Sequence, residues 1–481
     1  MSEIVDSKFT LPSNPRRIHL MGACGVGMAG VAGLFLSTGA TVTGSDQSVY
    51  APVSEYLARL GVKTQEGYSP LNLSPHPDLV VIGNVIRKEN PEARAVVSEG
   101  IPFTSMPGAI EEYFLRGKLS LVVAGSHGKT TLSSMIAWIL YDQGVDPGFM
   151  IGGLPSNFNE SSRFGYGKMF VLEGDEYDSA FFDKRPKFLH YRPFVGIFTS
   201  CEFDHADIYR DLGQIRQAFE SFLNLVPEEG AIIACNDDPV VREIIMGNHF
   251  RAETYGFRSD SSWNLSEVKD TGEGISVEFL RYGASVASGI LPVVGRHNAL
   301  NALAAVACTE KVGVEPSKAF ESLTHFKGVL RRQQITPVCS GILLVDDFAH
   351  HPSEVRETLA GFRLRFPDRR IVAVFEPRTN TSRRSIFQDN YLEAFLLADL
   401  SVLREPPDPW KAPDGDLFSS SLLSNELEIR GKRARAFLET DSIIDFLTSE
   451  LRPRDVVVVM SNGSFENLIP RLSKKMEDLG R

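Results

Sequence analysis

The stretch LVVAGSHGKTTLSSMIAWIL (121–140) decides the fold: an apolar run, a loop with Gly125 and Gly128, then Lys129 and a segment whose apolar spacing suits a helix. Strand, glycine loop and helix in that order make a phosphate-binding loop. Backbone N–H groups of the loop and helix start converge on phosphate oxygens, Lys129 adds a fixed positive charge, and Thr130 offers a hydroxyl to Mg²⁺. Gly125, Ser126, His127, Gly128, Lys129, Thr130 and Thr131 are therefore the expected ATP-binding residues. The general Walker pattern has glycine where this chain has Val123, so the loop departs from the strict motif.

Outward from this loop, β-branched runs lead repeatedly into Gly-rich or acidic turns and helical stretches, as parallel sheets covered by helices require. The first block carries IHLM (18–21), TVTGSD (41–46) and LVVIGN (79–84). The second opens with LVVAG and continues through MFVLE (169–173), VGIFTS (195–200) and AIIACN (231–236). A third carries GILLVDD (341–347), IVAVFEP (371–377), LSVL (400–403) and VVVVMSN (456–462). The expectation is an α/β protein of three domains, 1–118, 119–325 and 326–481, a count that 481 residues support. Two polar stretches, 155–167 and 258–274, read as a loop and a hairpin connection.

The net formal charge of −11, without a concentrated basic run, argues against nucleic acid and membrane surfaces as partners. The N-terminus MSEIVDSKFT has no basic segment leading into an apolar core, and no stretch approaches the roughly 20 apolar residues of a span. Cys24, Cys201, Cys235, Cys308 and Cys339 lack the paired spacings of zinc sites or disulfide frameworks. A cytoplasmic protein with no obligate protein partner is expected.

MFVLE runs into EGDEYDSAFFD (173–183), which sets Glu173, Asp175, Glu176 and Asp178 at the carboxyl end of a strand, where hard oxygen ligands suit Mg²⁺. VGIFTS runs into CEFDHADIY (201–209), so His205 emerges beside the same edge if both strands share a sheet with the phosphate loop. In GRHNALNALAA (295–305), His297 and Asn298 stand at a helix start, where Asn also serves as an N-cap. GACGVGMAG (22–30) contains Gly25-x-Gly27-x-x-Gly30, with Asp46 about 20 residues beyond, as in a dinucleotide fingerprint. The glycine directly after the strand is Gly22, so the pattern is shifted. A UDP-sugar, also a diphosphate, makes the same physical demand.

Taken in order, GACGVGM, GSHGKTT, EGDEYD, FDHADIY, GRHNALNA, Arg331-Arg332 and DDFAHHP (346–352) resemble the Mur ligase family across essentially the whole chain. That resemblance implies an N-terminal Rossmann-like domain for a UDP-sugar, a central P-loop ATPase with a parallel sheet, and a C-terminal Rossmann-like domain for the incoming amine. DDFAHHP and GACGVGM resemble the branch acting directly on UDP-N-acetylmuramate. Within it, L-alanine-adding enzymes typically carry EADESD followed closely by the next strand. EGDEYDSAFFDKRPKFLHYRP (173–193) and FEPRTNTSRR (375–384) look instead like the branch that recycles the murein tripeptide L-alanyl-γ-D-glutamyl-meso-diaminopimelate. The implied activity is ATP- and Mg²⁺-dependent ligation of that tripeptide to UDP-N-acetylmuramate, with L-alanine as the alternative amine.

Residue by residue, the resemblance puts Lys129 on the ATP phosphates, Thr130 and Glu173 on one Mg²⁺, and His205 with Glu173 on a second. His297 and Asn298 would face adenine, with Arg331 at the nucleotide and Asp346 on the ribose. Gly22, Gly25, Gly27 and Met28 would line the UDP loop, with Asp46 on the uridine side. Several relatives bind the second metal through a carbamoylated lysine. The helix QIRQAFESFL (214–223) has none, and Glu220 is the carboxylate that could replace its charge.

A carboxylate does not react with an amine at neutral pH, so the implied path moves the γ-phosphoryl group of ATP onto the lactyl carboxylate. The amine then attacks the acyl phosphate. His350, the catalytic candidate, or its neighbour His351 would take the amine's proton; either residue would equally suit the cap of a helix starting near Pro352. Arg378, Asn380, Ser382, Arg383 and Arg384, at the carboxyl end of IVAVFEP, are the candidates for gripping peptide carboxylates, since guanidinium pairs with carboxylate bidentately. Lys184 and Arg185 are secondary candidates.

Overall fold

The computed structural model describes residues 10–49, 53–204, 208–412 and 415–478. Its strands form three sheets, one in each block read from the sequence. In the first, β1 (Arg17–Met21), β2 (Thr41–Asp46), β3 (Lys63–Glu66), β4 (Leu79–Ile82) and β5 (Phe103–Ser105) lie in the order β3-β2-β1-β4-β5, all parallel. The chain leaves β1 for β2 on one side and returns to β4 on the other, which opens a crevice at the carboxyl end of β1. The turn Gly22–Gly25 occupies that position and feeds the helix Val26–Ser37.

The second sheet holds β6 (Leu119–Ala124), β7 (Gly148–Met150), β8 (Ser162–Arg163), β9 (Met169–Gly174), β10 (Pro193–Phe198), β11 (Ala231–Cys235), β12 (Ala252–Gly256), β13 (Trp263–Asp270), β14 (Ile275–Arg281) and β15 (Ala284–Leu291). Residues Leu121 to Ala124 of β6 are buried on both faces, the condition of a central parallel strand. β6 lies between β9 and β10, both parallel to it, with Val123 opposite Glu173 and Ala124 opposite Phe198. That register brings the phosphate loop, Glu173 and the segment after β10 to one edge. The stretch 258–274 is more than a connection, because Trp263–Asp270 is a full strand pairing with both β12 and β14. Only its first three residues are buried, and the polar remainder lies on an antiparallel extension, which hid it from an apolar-run reading. The other polar stretch is a loop except for the two residues of β8.

The third sheet, β16 (Gln334–Pro337), β17 (Leu343–Asp347), β18 (Ile371–Phe375), β19 (Leu400–Arg404), β20 (Arg433–Phe437) and β21 (Val456–Met460), runs in the order β16-β17-β21-β18-β19-β20 with only β16 antiparallel. IVAVF and VVVVM are buried throughout, as strands covered on both faces must be. Arg378 and its neighbours therefore follow a central strand at its carboxyl end. The architecture is α/β in three units, as expected from the sequence. Among the described residues, no helix is long and apolar enough to cross a membrane.

The segment between β9 and β10 joins the first two units. Phe181 and Phe182 pack against the core of the first sheet, with Phe182 edge-on to Phe103 at 5.1 Å. Behind them buried His190 stands 3.1 Å from Glu111 of the first unit and 2.9 Å from Asp183. Burial opposes a charge on this imidazole, but the two carboxylates outweigh it and raise its pKa. Lys184 pairs with Asp178 at 2.9 Å and Arg185 with Asp183 at 2.8 Å, so both already hold internal carboxylates.

Candidate active site

The loop after β6 turns sharply because Gly125 and Gly128 take positive φ, +136° and +81°. A Cβ on Gly125 would come within 2.2 Å of Thr199 Oγ1, so the close approach to the segment after β10 needs a glycine there. The helix Lys129–Asp142 begins at Gly128 without a side-chain cap, so no side chain competes for its first amides. Lys129 Nζ folds back onto Gly125 O at 2.6 Å and lies 3.0 Å from Glu176, itself almost fully buried. Burial works against the ammonium, yet Glu176, Asp175 and Glu173 together hold its pKa above the usual lysine value. Glu176 is thus the deep counter-charge of the loop lysine, a role the acidic run did not single out.

Thr130 Oγ1 donates to Glu173 Oε1 at 2.9 Å, and the other carboxylate oxygen accepts from Gly152 N at 2.8 Å. A hydroxyl and a carboxylate side by side at the foot of a phosphate loop are the hard oxygen donors Mg²⁺ prefers, so these residues fit that ion. His205 lies outside the described residues. Glu220 does not join the pair; its carboxylate accepts from Asn248 at 3.3 Å. Arg332 Nη2, from the third unit, reaches Thr130 Oγ1 at 3.4 Å, so the arginine beside the loop is Arg332, whereas the sequence pointed to Arg331.

A cavity of about 600 Å³ opens between the second and third sheets, with His127, Asn298, Asn301, Arg332, Asp347 and Glu354 among its walls. Helix Arg296–Glu310 is capped by Gly295, not by Asn298, whose amide instead bonds Val294 O and Gln333 Oε1, both at 2.9 Å. The N-cap alternative for Asn298 therefore falls. His297 is half-buried at the cavity wall, and desolvation of the ring pushes its pKa down to about 4, so it is a neutral ring held by Gln333 at 3.2 Å. Arg331 takes positive φ and spans Asp346, Ser461 O and Gly463 O, so Asp346 already faces a guanidinium.

Of the two histidines of DDFAHHP, His351 is the N-cap of helix Pro352–Arg365 in a capping box with Glu354. Burial pushes its pKa down to about 4. His350 lies 3.2 Å from Glu354 and 3.9 Å from Asp204, facing the segment after β10. His127, in the phosphate loop, sits between Glu202 at 3.3 Å and Glu354 at 3.4 Å. Burial opposes its charge, but those carboxylates win and carry its pKa up to about 10.

In the first unit, Gly22 and Ala23 donate to Ser45 O, and Cys24 N donates to Asp46 Oδ2 at 2.8 Å. Asp46 thus shapes the glycine turn itself. The side chain of Met28 is buried in the first core, so it packs beneath the turn and does not line it. A Cβ on Gly27 would press Met106 Sδ at 2.8 Å, which makes Gly27 a packing glycine. A Cβ on Gly25 would come no nearer than 3.5 Å to Gly22 O, so that position carries no such constraint.

The arginine loop divides. Arg383 is 2% exposed and spends its guanidinium on Arg378 O at 2.6 Å, Pro407 O at 3.3 Å and Asn380 Oδ1 at 3.3 Å. Ser382 is buried and bonded to Thr379. These two residues build the loop and cannot grip a peptide without dismantling it, which corrects the expectation for both. Arg384 pairs with Asp416 at 2.6 Å. Arg378 and Asn380 are exposed, and Arg378 lies flat across Gly463, where a Cβ would come within 2.7 Å of its Cδ.

Three family models match in chain order: "Mur ligase family, catalytic domain" over 17–117, "Mur ligase middle domain" over 123–309 and "Mur ligase, glutamate ligase domain" over 331–463. The chain belongs to the Mur ligase family. This Mur ligase is 38% identical over 468 residues to the UDP-N-acetylmuramate–L-alanyl-gamma-D-glutamyl-meso-2,6-diaminoheptandioate ligase of Escherichia coli K12, covering 96% of the chain and 99% of the relative. It is 34% identical to the UDP-N-acetylmuramate–L-alanine ligase of Methylococcus capsulatus, covering 96% of each. Among solved structures it resembles a murein peptide ligase from Psychrobacter arcticus (TM-score 0.70, 32% identity, 96% of this chain and 98% of the other). It also resembles the UDP-N-acetylmuramate–alanine ligase of Thermotoga maritima (TM-score 0.80, 25% identity, 96% and 99%).

Proposed function

We propose that this Mur ligase is a cytoplasmic enzyme that uses ATP and Mg²⁺ to join the amine of L-alanyl-γ-D-glutamyl-meso-diaminopimelate to the lactyl carboxylate of UDP-N-acetylmuramate. The observation that carries the choice of amine is 38% identity over nearly the whole chain to a ligase named for that tripeptide. The higher TM-score of the alanine ligase does not weigh against it. A whole-chain superposition is governed by how three units are set against one another, and the amine-binding loop is a small part of that.

We assign residues 1–118 to the UDP-sugar, 119–325 to ATP and 326–481 to the amine. The UDP diphosphate would rest on the turn Gly22–Gly25 and the start of helix Val26–Ser37. Lys129 would swing from Gly125 O to the ATP phosphates, while Thr130 and Glu173 would hold one Mg²⁺ and His205 with Glu173 a second. The ions' contribution would be to neutralise charge on the phosphates. The lactyl carboxylate attacks the terminal phosphorus, ADP leaves, and an acyl phosphate remains. The peptide amine gives its proton to His350, attacks the acyl carbon, and phosphate departs as the amide forms. Arg378, exposed at the carboxyl end of β18, would hold a peptide carboxylate. His297 and Asn298 would meet adenine in the cavity, with Arg331 and Asp346 on the ribose side.

The test is ADP release with UDP-N-acetylmuramate and either amine. Turnover with the tripeptide well above that with L-alanine supports the reading. The reverse order replaces the tripeptide by L-alanine and leaves the phosphate-loop assignment intact.

A further inference from the structure

His127, Glu202 and His351 come from three separate segments: the phosphate loop, the turn after β10 and the start of helix Pro352–Arg365. Glu202 Oε2 lies 3.3 Å from His127 Nε2 and 3.3 Å from His351 Nδ1, whose long 3.4 Å cap contact with Ser353 N an ion would replace. One donor atom from each residue can be chosen so that all three lie within 4.8 Å of one another. Ion pairs between such groups normally close to roughly 2.7–2.9 Å. Two donors on a tetrahedral Zn²⁺, each about 2.05 Å from the metal, are instead about 3.3 Å apart. Both edges at Glu202 have the second spacing, and the two imidazoles, whose donors lie within 4.8 Å, would close the third edge on the ion.

The surroundings are also those of a metal site. The far nitrogen of His127, Nδ1, is buried without a hydrogen-bond partner and stands 3.4 Å from Glu354 Oε1, the carboxylate placed to orient the ring of a ligating imidazole. Ser353 Oγ donates to Glu202 Oε2 at 2.6 Å and holds that carboxylate in place. Arg332, 4.0 Å from Glu354, the ring of His350, 3.2 Å from it, and Asp204, whose charge acts on His351, also face the cluster. The side chains of His127 and His351 are 16% and 5% exposed, so little rotamer freedom would be lost on binding.

We propose that His127, Glu202 and His351 bind one divalent transition-metal ion of the Zn²⁺ class, with Glu354 orienting His127 from behind. Two nitrogens and one oxygen select Zn²⁺, Co²⁺ or Ni²⁺ over Mg²⁺, so the site differs in kind from the oxygen pair Thr130–Glu173. Two donors belong to the central unit and one to the third, so the ion staples the two walls of the cleft.

The experiment titrates the full-length protein with Co²⁺ alone at pH 8 and reads the visible absorption bands. The site predicts one equivalent with the intense spectrum of a four-coordinate ion, lost on adding Zn²⁺. His351→Asn keeps an N-cap acceptor for the helix but removes the imidazole, and should abolish the band. Glu354→Gln should weaken Co²⁺ binding about ten- to a hundredfold. A six-coordinate spectrum throughout, or a four-coordinate band unchanged in His351→Asn, would overturn the assignment.

Discussion

Lys129→Met removes the ammonium that faces Glu176 at 3.0 Å, where the carboxylate side chain is 3% exposed. Methionine keeps the length and the apolar stem, so the charge is what is lost. Breaking a buried pair on one side costs about 3–5 kcal/mol. A carboxyl with an ordinary pKa near 4.3 can escape by taking a proton at pH 7 for about 3.7 kcal/mol, which limits the penalty to roughly 3–4 kcal/mol. Urea unfolding reports it through Trp138 and Trp263, both packed in the core of the central unit. Lys129→Met/Glu176→Gln should recover most of that loss, because neither charge remains, while ADP release stays absent in both variants. A single variant as stable as the wild type would refute the buried pair. Near-normal ADP release would remove Lys129 from the phosphate site.

Arg378→Ala should raise the apparent constant for the tripeptide by roughly ten- to over a hundredfold, the effect of losing a charged hydrogen bond of about 1.5–3 kcal/mol, with the melting temperature nearly unchanged. Arg383→Ala should instead lower the melting temperature, since its guanidinium supports three groups of its own loop; a selective loss of peptide binding with full stability would reverse these roles. Thr130→Val and Glu173→Gln should each raise the Mg²⁺ concentration needed for half-maximal turnover, and overlaid titrations would dismiss the oxygen pair. His190 has a raised pKa between Glu111 and Asp183. Its contribution is therefore full below the unfolded value of about 6.5 and is lost as pH rises through the folded value. The stability gap between wild type and His190→Gln should be widest near pH 6 and shrink toward pH 10, and a gap that widens with pH would contradict the sandwich.

The central sheet was legible because its signals are local. A strand, two glycines and Lys129 specify a loop whatever surrounds them, and MFVLE and VGIFTS are apolar enough to mark their own ends. Register then did the rest, setting Glu173 beside Thr130. The arginine loop was legible only in position. Spacing put Arg378, Arg383 and Arg384 at a strand end, but which guanidinium turns inward depends on carbonyls of Arg378 and Pro407 that no local pattern announces. Met28 misled for a similar reason, since a residue three positions into a helix can face ligand or core, and the core below β1 took it. The cluster of His127, Glu202 and His351 joins residues up to 224 positions apart and could be seen only once the sheets were placed.

The most direct measurement of the central claim is a competition: UDP-N-acetylmuramate, ATP and Mg²⁺ with equal amounts of L-alanine and L-alanyl-γ-D-glutamyl-meso-diaminopimelate, the nucleotide-sugar products separated by mass. The account predicts that the UDP-N-acetylmuramoyl-tripeptide dominates and that Lys129→Met forms neither product. A product pool made mostly of UDP-N-acetylmuramoyl-L-alanine would contradict it.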